Sequence, residues 1–156
     1  MSVKPIPDGY HTVTPYLIVK GAAEAIDFYK KAFGATEIMR FPMPDGRLGH
    51  AEIKIGDSFV MLADEFPQML AVSPATLGGT PIGLCLYVPN VDELFNQAVA
   101  AGAKVERPVT NQFYGDRAGT VLDPFGHKWT ITTHVEDVSM EEMQKRMAAM
   151  SKPEAA

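Results

Sequence analysis

The sequence predicts an α+β chain built from two βαβββ modules. Three observations predict it. A strand–helix–Gly-Ala order occurs twice, with Val19 and Val88, and likewise Glu24 and Glu93, 69 residues apart. Two segments carry apolar residues at helical spacing, and the segments around them read as strands. A Gly-Asp pair divides two strand-like runs, as a hairpin turn does.

Taken in order, Val13–Val19 is rich in β-branched and aromatic residues and reads as the first strand. Ala22, Ala25, Ile26, Tyr29, Ala32 and Phe33 share one face of a helix over Ala22–Phe33. Gly34 stands where a C-cap favours positive φ. In AEIKIGDSFVMLAD, two apolar stretches flank Gly56-Asp57 and suggest a hairpin. The 17 residues from Glu65 to Pro81 hold three prolines and two glycines, and read as a long connection without regular structure. Gly83–Val88 is a near-continuous apolar strand. Asn90 and Glu93 form a capping box for a helix over Val91–Ala101, in which Leu94, Ala98 and Ala101 share a face and which Gly102 ends. Strands near Lys104–Pro108, Gly119–Leu122 and Lys128–Thr133 complete the second half. Ser139 and Glu142 cap a terminal helix striped by Met140, Met143, Met147 and Met150, which should pack on its own domain or across a dimer contact. The expected organisation is a single domain: module one about 12–64, a linker at 65–81, module two about 82–134, and the terminal helix about 139–150.

Composition narrows the function classes. Apolar residues make up 46% and charged residues 21% of 156 residues, with mean hydropathy −0.03, as in a globular protein. The longest apolar run, Pro81 to Val88, is far short of the roughly 20 residues a membrane span needs. A net charge of −5 without a Lys/Arg run argues against a nucleic-acid partner. The single cysteine, Cys85, excludes an intrachain disulfide and a multi-cysteine metal site. The first residues, MSVKPIPDGYHT, have no apolar signal core, so a cytoplasmic location is expected.

Few residues invite chemistry. His11, His50, His127 and His134 stand in no HxH or HExxH spacing. His50 and Glu52 lie two apart on one strand face, as a metal-ligand pair, an acid–base pair or a solvated surface would. In DPFGH, residues 123–127, Asp, Pro and Gly occupy their preferred type I turn positions, so Asp123, Pro124 and Gly126 are assigned a structural role. QFYGDR, residues 112–117, gathers an amide, two aromatics, an acid and a base around a glycine. It fits a ligand-holding loop, or equally an Asp116–Arg117 turn over a buried Phe113. Cys85, in an apolar strand, reads as a buried, inert thiol rather than a nucleophile. There is no phosphate-binding Gly-rich loop and no G-x-S-x-G elbow.

The segments AIDFYKKAFGA, HAEIKIGDSFVMLAD, VDELFNQAVAAGAKV and DPFGHKWTI closely resemble the vicinal oxygen chelate superfamily of glyoxalase I, bleomycin-resistance proteins and extradiol dioxygenases. The stretch from Gln112 to Met143 resembles its PhnB-like branch. The resemblance spans about residues 12–145. It implies paired modules forming cupped, mixed sheets. In metal-using members one ligand comes from each of four strands, and alignment puts Thr14, Leu62, Gly83 and Thr130 at those positions. None is a good divalent-metal ligand, so neither a metal nor another cofactor is expected. The resemblance further implies a ligand cavity walled by Thr14, Tyr16, Leu62, Gly83, Cys85, Tyr87, Lys128, Thr130 and Thr132, with Gln112, Tyr114 and Arg117 at its rim.

The resulting expectation is a homodimeric protein that binds a small organic molecule in a metal-free cavity. The alternative is an enzyme of glyoxalase, dioxygenase or lyase type. It would use a relocated metal site drawn from His50, Glu52, His127 or His134, or metal-independent chemistry by Tyr114 or His127 with Arg117 on an anion. A purely structural or protein-interaction role has little support beyond the terminal helix.

Overall fold

The computed structural model describes residues 3–151. Two βαβββ units follow one another. The first comprises β1 (Tyr16–Val19), α1 (Ala22–Phe33), β2 (Thr36–Pro42), β3 (Leu48–Ile55) and β4 (Ser58–Asp64). A connection with a single 3-10 turn and the short α2 (Pro74–Leu77) leads to the second unit. That unit comprises β5 (Gly83–Tyr87), α3 (Val91–Ala101), β6 (Lys104–Asn111), β7 (Asp116–Leu122) and β8 (Lys128–His134); α4 (Met140–Met150) closes the described chain.

Each unit makes its own four-stranded mixed sheet, ordered β1-β4-β3-β2 and β5-β8-β7-β6. β1 runs parallel to β4 and β5 parallel to β8, because α1 and α3 reverse the chain between first and second strand. All other pairings are antiparallel. Each helix covers one face of its sheet, and α1 and α3 pack on each other. The core lies between helices and sheets, leaving the opposite face of each sheet open.

Local causes are visible. Asp64, at the end of β4, accepts the N–H groups of Gly21 and Ala22 at the start of α1 (2.8 and 2.9 Å) and that of Leu48 (2.7 Å). Gly34 ends α1 at φ 66°. Asn90 accepts from the N–H of Glu93, as its capping box requires.

Across the modules, Tyr29 and Phe33 of α1 meet Trp129 of β8 at ring-centroid distances of 5.4 and 4.8 Å. Asp123 sits beneath them. It accepts from the Tyr29 hydroxyl (2.6 Å), the Trp129 indole (2.9 Å) and the N–H groups of Phe125 and His127 (both 2.9 Å). DPFGH is therefore a turn whose carboxylate also joins the modules. Among the described residues no buried side-chain polar atom lacks a partner.

Several expected bounds shift. The first strand begins at Tyr16, because Pro15 cannot donate to a ladder. β2, for which the sequence sets no bounds, has no buried residue, and a bulge near Ile38 breaks its alternation. β6 and β7 form a longer hairpin than expected; Pro108 falls in a register irregularity between Arg107 and Thr110. The connection is less irregular than its punctuation implies, since Ser73 caps α2. α4 buries none of its residues fully: Met140, Met147 and Met150 are exposed, Met143 is partly covered, and Arg146 bonds the Phe113 carbonyl and Glu136.

Candidate functional site

Strand alternation decides which side chains reach the open faces. In the first sheet, Leu17, Val60, Leu62, Ala51 and Ile53 point to α1 and are buried. The residues between them point away. Register places Tyr16, Met61, Glu52 and Met39 in one row across the four strands, with His50 opposite Phe41 in the next.

A hydrogen-bonded chain crosses this apolar floor. Tyr16 Oη lies 2.7 Å from His50 Nδ1, and His50 Nε2 lies 3.0 Å from Glu52 Oε1. Tyr10, from the segment before β1, donates its hydroxyl to Glu52 Oε2 and stacks on Phe59 at 4.3 Å. Burial pushes the Glu52 carboxyl upward, but the His50 and Tyr10 hydrogen bonds outweigh it and hold the group below its ordinary value. Glu52 is thus an anion with only 9% of its surface exposed. In the neutral ring the His50 proton then sits on Nε2, leaving Nδ1 to accept from Tyr16. The Tyr10 phenol is raised to about 12 by burial and by Glu52, and that of Tyr16 is raised by the same two causes. Both hydroxyls stay protonated donors.

The second sheet carries a related group on its open face. Tyr87, Thr132, Ala118 and Thr110 form one row, Cys85, Thr130, Thr120 and Arg107 the next, and Asp116 faces His134 across β7 and β8. Asp116, 6% exposed, accepts from the Tyr87 hydroxyl (2.8 Å) and meets His134 Nδ1 at 2.7 Å. His134 Nε2 meets Asp137 at 2.9 Å. With a carboxylate on each ring nitrogen, first Asp137 and then Asp116, the imidazole is raised above its ordinary value. Burial raises Asp116, but hydrogen bonds from His134 and Tyr87 bring it below its own ordinary value.

Most expected wall residues reach this second face or its border. Gly83 and Cys85 are exposed on β5, Lys128 pairs with Glu106 (3.2 Å), and Thr130 bonds Thr120 (3.0 Å). Thr132 is buried and bonds the Arg117 carbonyl (3.3 Å). Gln112 bonds Thr110 (2.9 Å) at the hairpin tip, beside the half-exposed Tyr114. Thr14 precedes β1 and bonds the His11 carbonyl (3.3 Å).

Three expectations need correction. Leu62 is fully buried against α1, and its neighbours Met61 and Ala63 hold the open face; a one-residue step reverses the side of a strand. Arg117 is likewise on the helix side, where its guanidinium grips Asp92 of α3 through two contacts of 2.8 Å. Cys85 is exposed rather than buried, but desolvation and the Asp116 charge push its thiol up, away from the reactive thiolate. His127, just before β8, lies 3.0 Å from the Ile18 carbonyl and borders a small cavity beside Tyr16.

His50 and Glu52 do come together, but His127 and His134 do not join them. Among the described residues no three His, Cys, Asp or Glu side chains converge on a point fit for a metal. Asp116 and Asp137 do not qualify, because they approach His134 through different ring nitrogens. The set at the family's metal positions (Thr14, Leu62, Gly83, Thr130) has two members without a side-chain donor atom. Tyr10, Phe59 and Met61 escape the sequence reading. For Phe59 and Met61 the one signal is alternation outward from His50 and Glu52, which requires the cross-strand register; Tyr10 lies in no strand and carries no such signal.

A cleft of about 540 Å³ follows the free edge of β5, between the β3–β4 turn at Gly56-Asp57 and α3, and takes in Cys85 and Tyr87. Tyr87 borders both this cleft and the second network, whereas the first network does not line it.

Comparisons with known proteins agree with this architecture. An uncharacterised protein of Mycobacterium bovis, Mb0911c, is 46% identical over 140 residues, covering 88% of this chain and 92% of its own length. The crystal structure of TioX from Micromonospora sp. ML1 superposes with a TM-score of 0.63 at 26% identity, over 83% of this chain and all of that one. A PhnB protein from Bacillus cereus shares the fold, with a TM-score of 0.62 at 18% identity, over 79% of this chain and 99% of its own. Among the described residues no helix is long and apolar enough to cross a membrane. The family model for the Glyoxalase/Bleomycin resistance protein/Dioxygenase superfamily matches residues 10–131, and the chain belongs to that superfamily.

Proposed function

We propose that this protein binds a small organic molecule, without a metal, on the open faces of its sheets, as a cytoplasmic homodimer whose second copy closes the site. The carrying observation is that each open face sets a Tyr–His–carboxylate group among apolar and hydroxyl side chains, while the family's metal positions hold Thr14, Leu62, Gly83 and Thr130. Aromatic and methionine surface supplies contact area, and a few fixed polar groups supply orientation. The dimer follows from exposure. Phe41 and Tyr87 stand 59% and 68% exposed, and Met140, Met147 and Met150 of α4 are uncovered, which is a cost unless a second surface meets them.

A second reading has its own observation. Glu52, His50 and Tyr16 form a carboxylate–imidazole–hydroxyl relay with the hydroxyl on the open face. Such a relay can pass a proton to or from a bound molecule. In this reading Tyr16, rather than Tyr114 or His127, is the acid/base group.

Two measurements test the proposal. Elemental analysis of dialysed protein should find no stoichiometric transition metal or zinc; one equivalent per chain would refute the metal-free reading. Sedimentation should give a dimer; a monomer at micromolar concentration would refute the shared site.

A further inference from the structure

Residues 3–14 run outside the first sheet as a strap. Among the described residues, their side chains make one hydrogen bond to the rest of the chain, from Tyr10 to Glu52; Lys4 pairs with Asp8 and Thr14 bonds His11 within the strap. From Val3 to Val13 every residue but Tyr10 is exposed. Tyr10 is therefore a lone anchor. Its ring lies on Phe59 with an interplanar angle of 17°, and its hydroxyl meets the nearly buried Glu52 carboxylate. Gly9 permits the close approach, since a β-carbon there would come within 2.7 Å of the Phe59 ring. The strap's peptide backbone bonds locally, from Tyr10 N–H to the Pro7 carbonyl (3.2 Å), so releasing the ring breaks no sheet ladder.

We propose that the slot formed by Phe59 and Glu52 Oε2 is a subsite for a phenolic ring of the ligand, with Tyr10 as its resting occupant. This rests on the open face of the first sheet being a binding face. The slot fixes the chemistry of what enters. Phe59 offers a flat apolar surface for stacking. Glu52 Oε2 is a charged acceptor, and leaving it without a donor is costly at this depth. An aromatic ring bearing a hydroxyl meets both demands, as Tyr10 does. A ring without a donor leaves Oε2 unpaired, and an anionic group is repelled. The strap acts as an internal competitor, lowering apparent affinity by the fraction of time that Tyr10 holds the slot.

The test uses the full chain and p-cresol, the tyrosine side chain as a free molecule, with 4-methylanisole as the ring lacking a donor. Calorimetric or ligand-observed NMR titration of the parent, Tyr10→Ala and Tyr10→Phe should show p-cresol binding Tyr10→Ala about tenfold more tightly than the parent. Tyr10→Phe, which keeps the stack and loses the hydroxyl, should fall between them. Adding Glu52→Gln to Tyr10→Ala should remove most of the gain, and 4-methylanisole should bind Tyr10→Ala far more weakly than p-cresol. Equal p-cresol affinity for parent and Tyr10→Ala overturns the proposal, as does no binding to either, or 4-methylanisole matching p-cresol. The wider binding reading is decided separately, by whether any small molecule stabilises the parent.

Discussion

The two open faces carry the same chemical grouping, assembled in different ways. On the first, histidine and carboxylate come from one strand, His50 and Glu52 two residues apart on β3. On the second they come from neighbouring strands, Asp116 of β7 opposite His134 of β8. The first face is partly roofed by the Tyr10 strap, whereas the second is tied to the segment after β8 through Asp137. A duplicated scaffold thus fixes where polar groups can stand, at alternate positions facing away from the helices, without fixing which strand supplies each one. Each face also buries its carboxylate almost completely and meets it with a tyrosine hydroxyl, so both carboxylates remain charged in a shielded setting.

The comparison can be broken at several points. The largest effect is expected where the modules join. Asp123→Ala strips four donors of their acceptor and should destabilise the fold by about 3–5 kcal/mol, read from the denaturant midpoint. A loss under about 1 kcal/mol would mean that the modules are held by the aromatic contacts alone. Next comes the division between the faces. Leu62→Ala should cost about 2–5 kcal/mol because the side chain is core, while the adjacent Met61→Ala should cost much less and instead weaken ligand binding. Equal losses at both positions would erase the distinction between helix side and open side.

The carboxylates should respond to pH in the same direction. Glu52 and Asp116 both sit below their ordinary values, 4.5 and 3.8. Their stabilising contributions are present above those values and are lost as pH falls through the depressed ones. The second face has an alkaline limb as well. The His134 imidazole is raised above 6.5, so its tether to Asp137 is fully present below 6.5 and fades as pH rises through the raised value. The smallest effect follows from this. Asp137→Asn should move the NMR titration of His134 back toward 6.5 with little change in stability, since Asp137 is fully exposed. An unmoved titration would place the cause at Asp116 alone.

What the sequence made legible divides along the same line. α1, α3 and the Gly56-Asp57 hairpin were visible because their signals lie within a short window of chain. β2 was not, since all its residues are exposed or only partly covered and a bulge interrupts its period. His50 and Glu52 could be paired from their spacing on one strand. Asp116 and His134, 18 residues apart, could be paired only once the β7–β8 register was known. Leu62 was assigned to the wrong face because alternation reverses with a single-residue error, and alignment to a family cannot fix a strand's phase as burial does. Arg117 was expected at the rim as part of a loop, but it lies inside β7 and turns to Asp92.

The central claim is that the open faces bind an organic molecule without a metal. It is tested most directly by a thermal-shift screen of small organic compounds against the parent protein in excess chelator. The account predicts a compound that raises Tm by about 5–10 °C at a hundredfold excess over its Kd, with the shift lost in Glu52→Gln or Asp116→Asn. A shift that chelator abolishes, or that both variants retain in full, would contradict it.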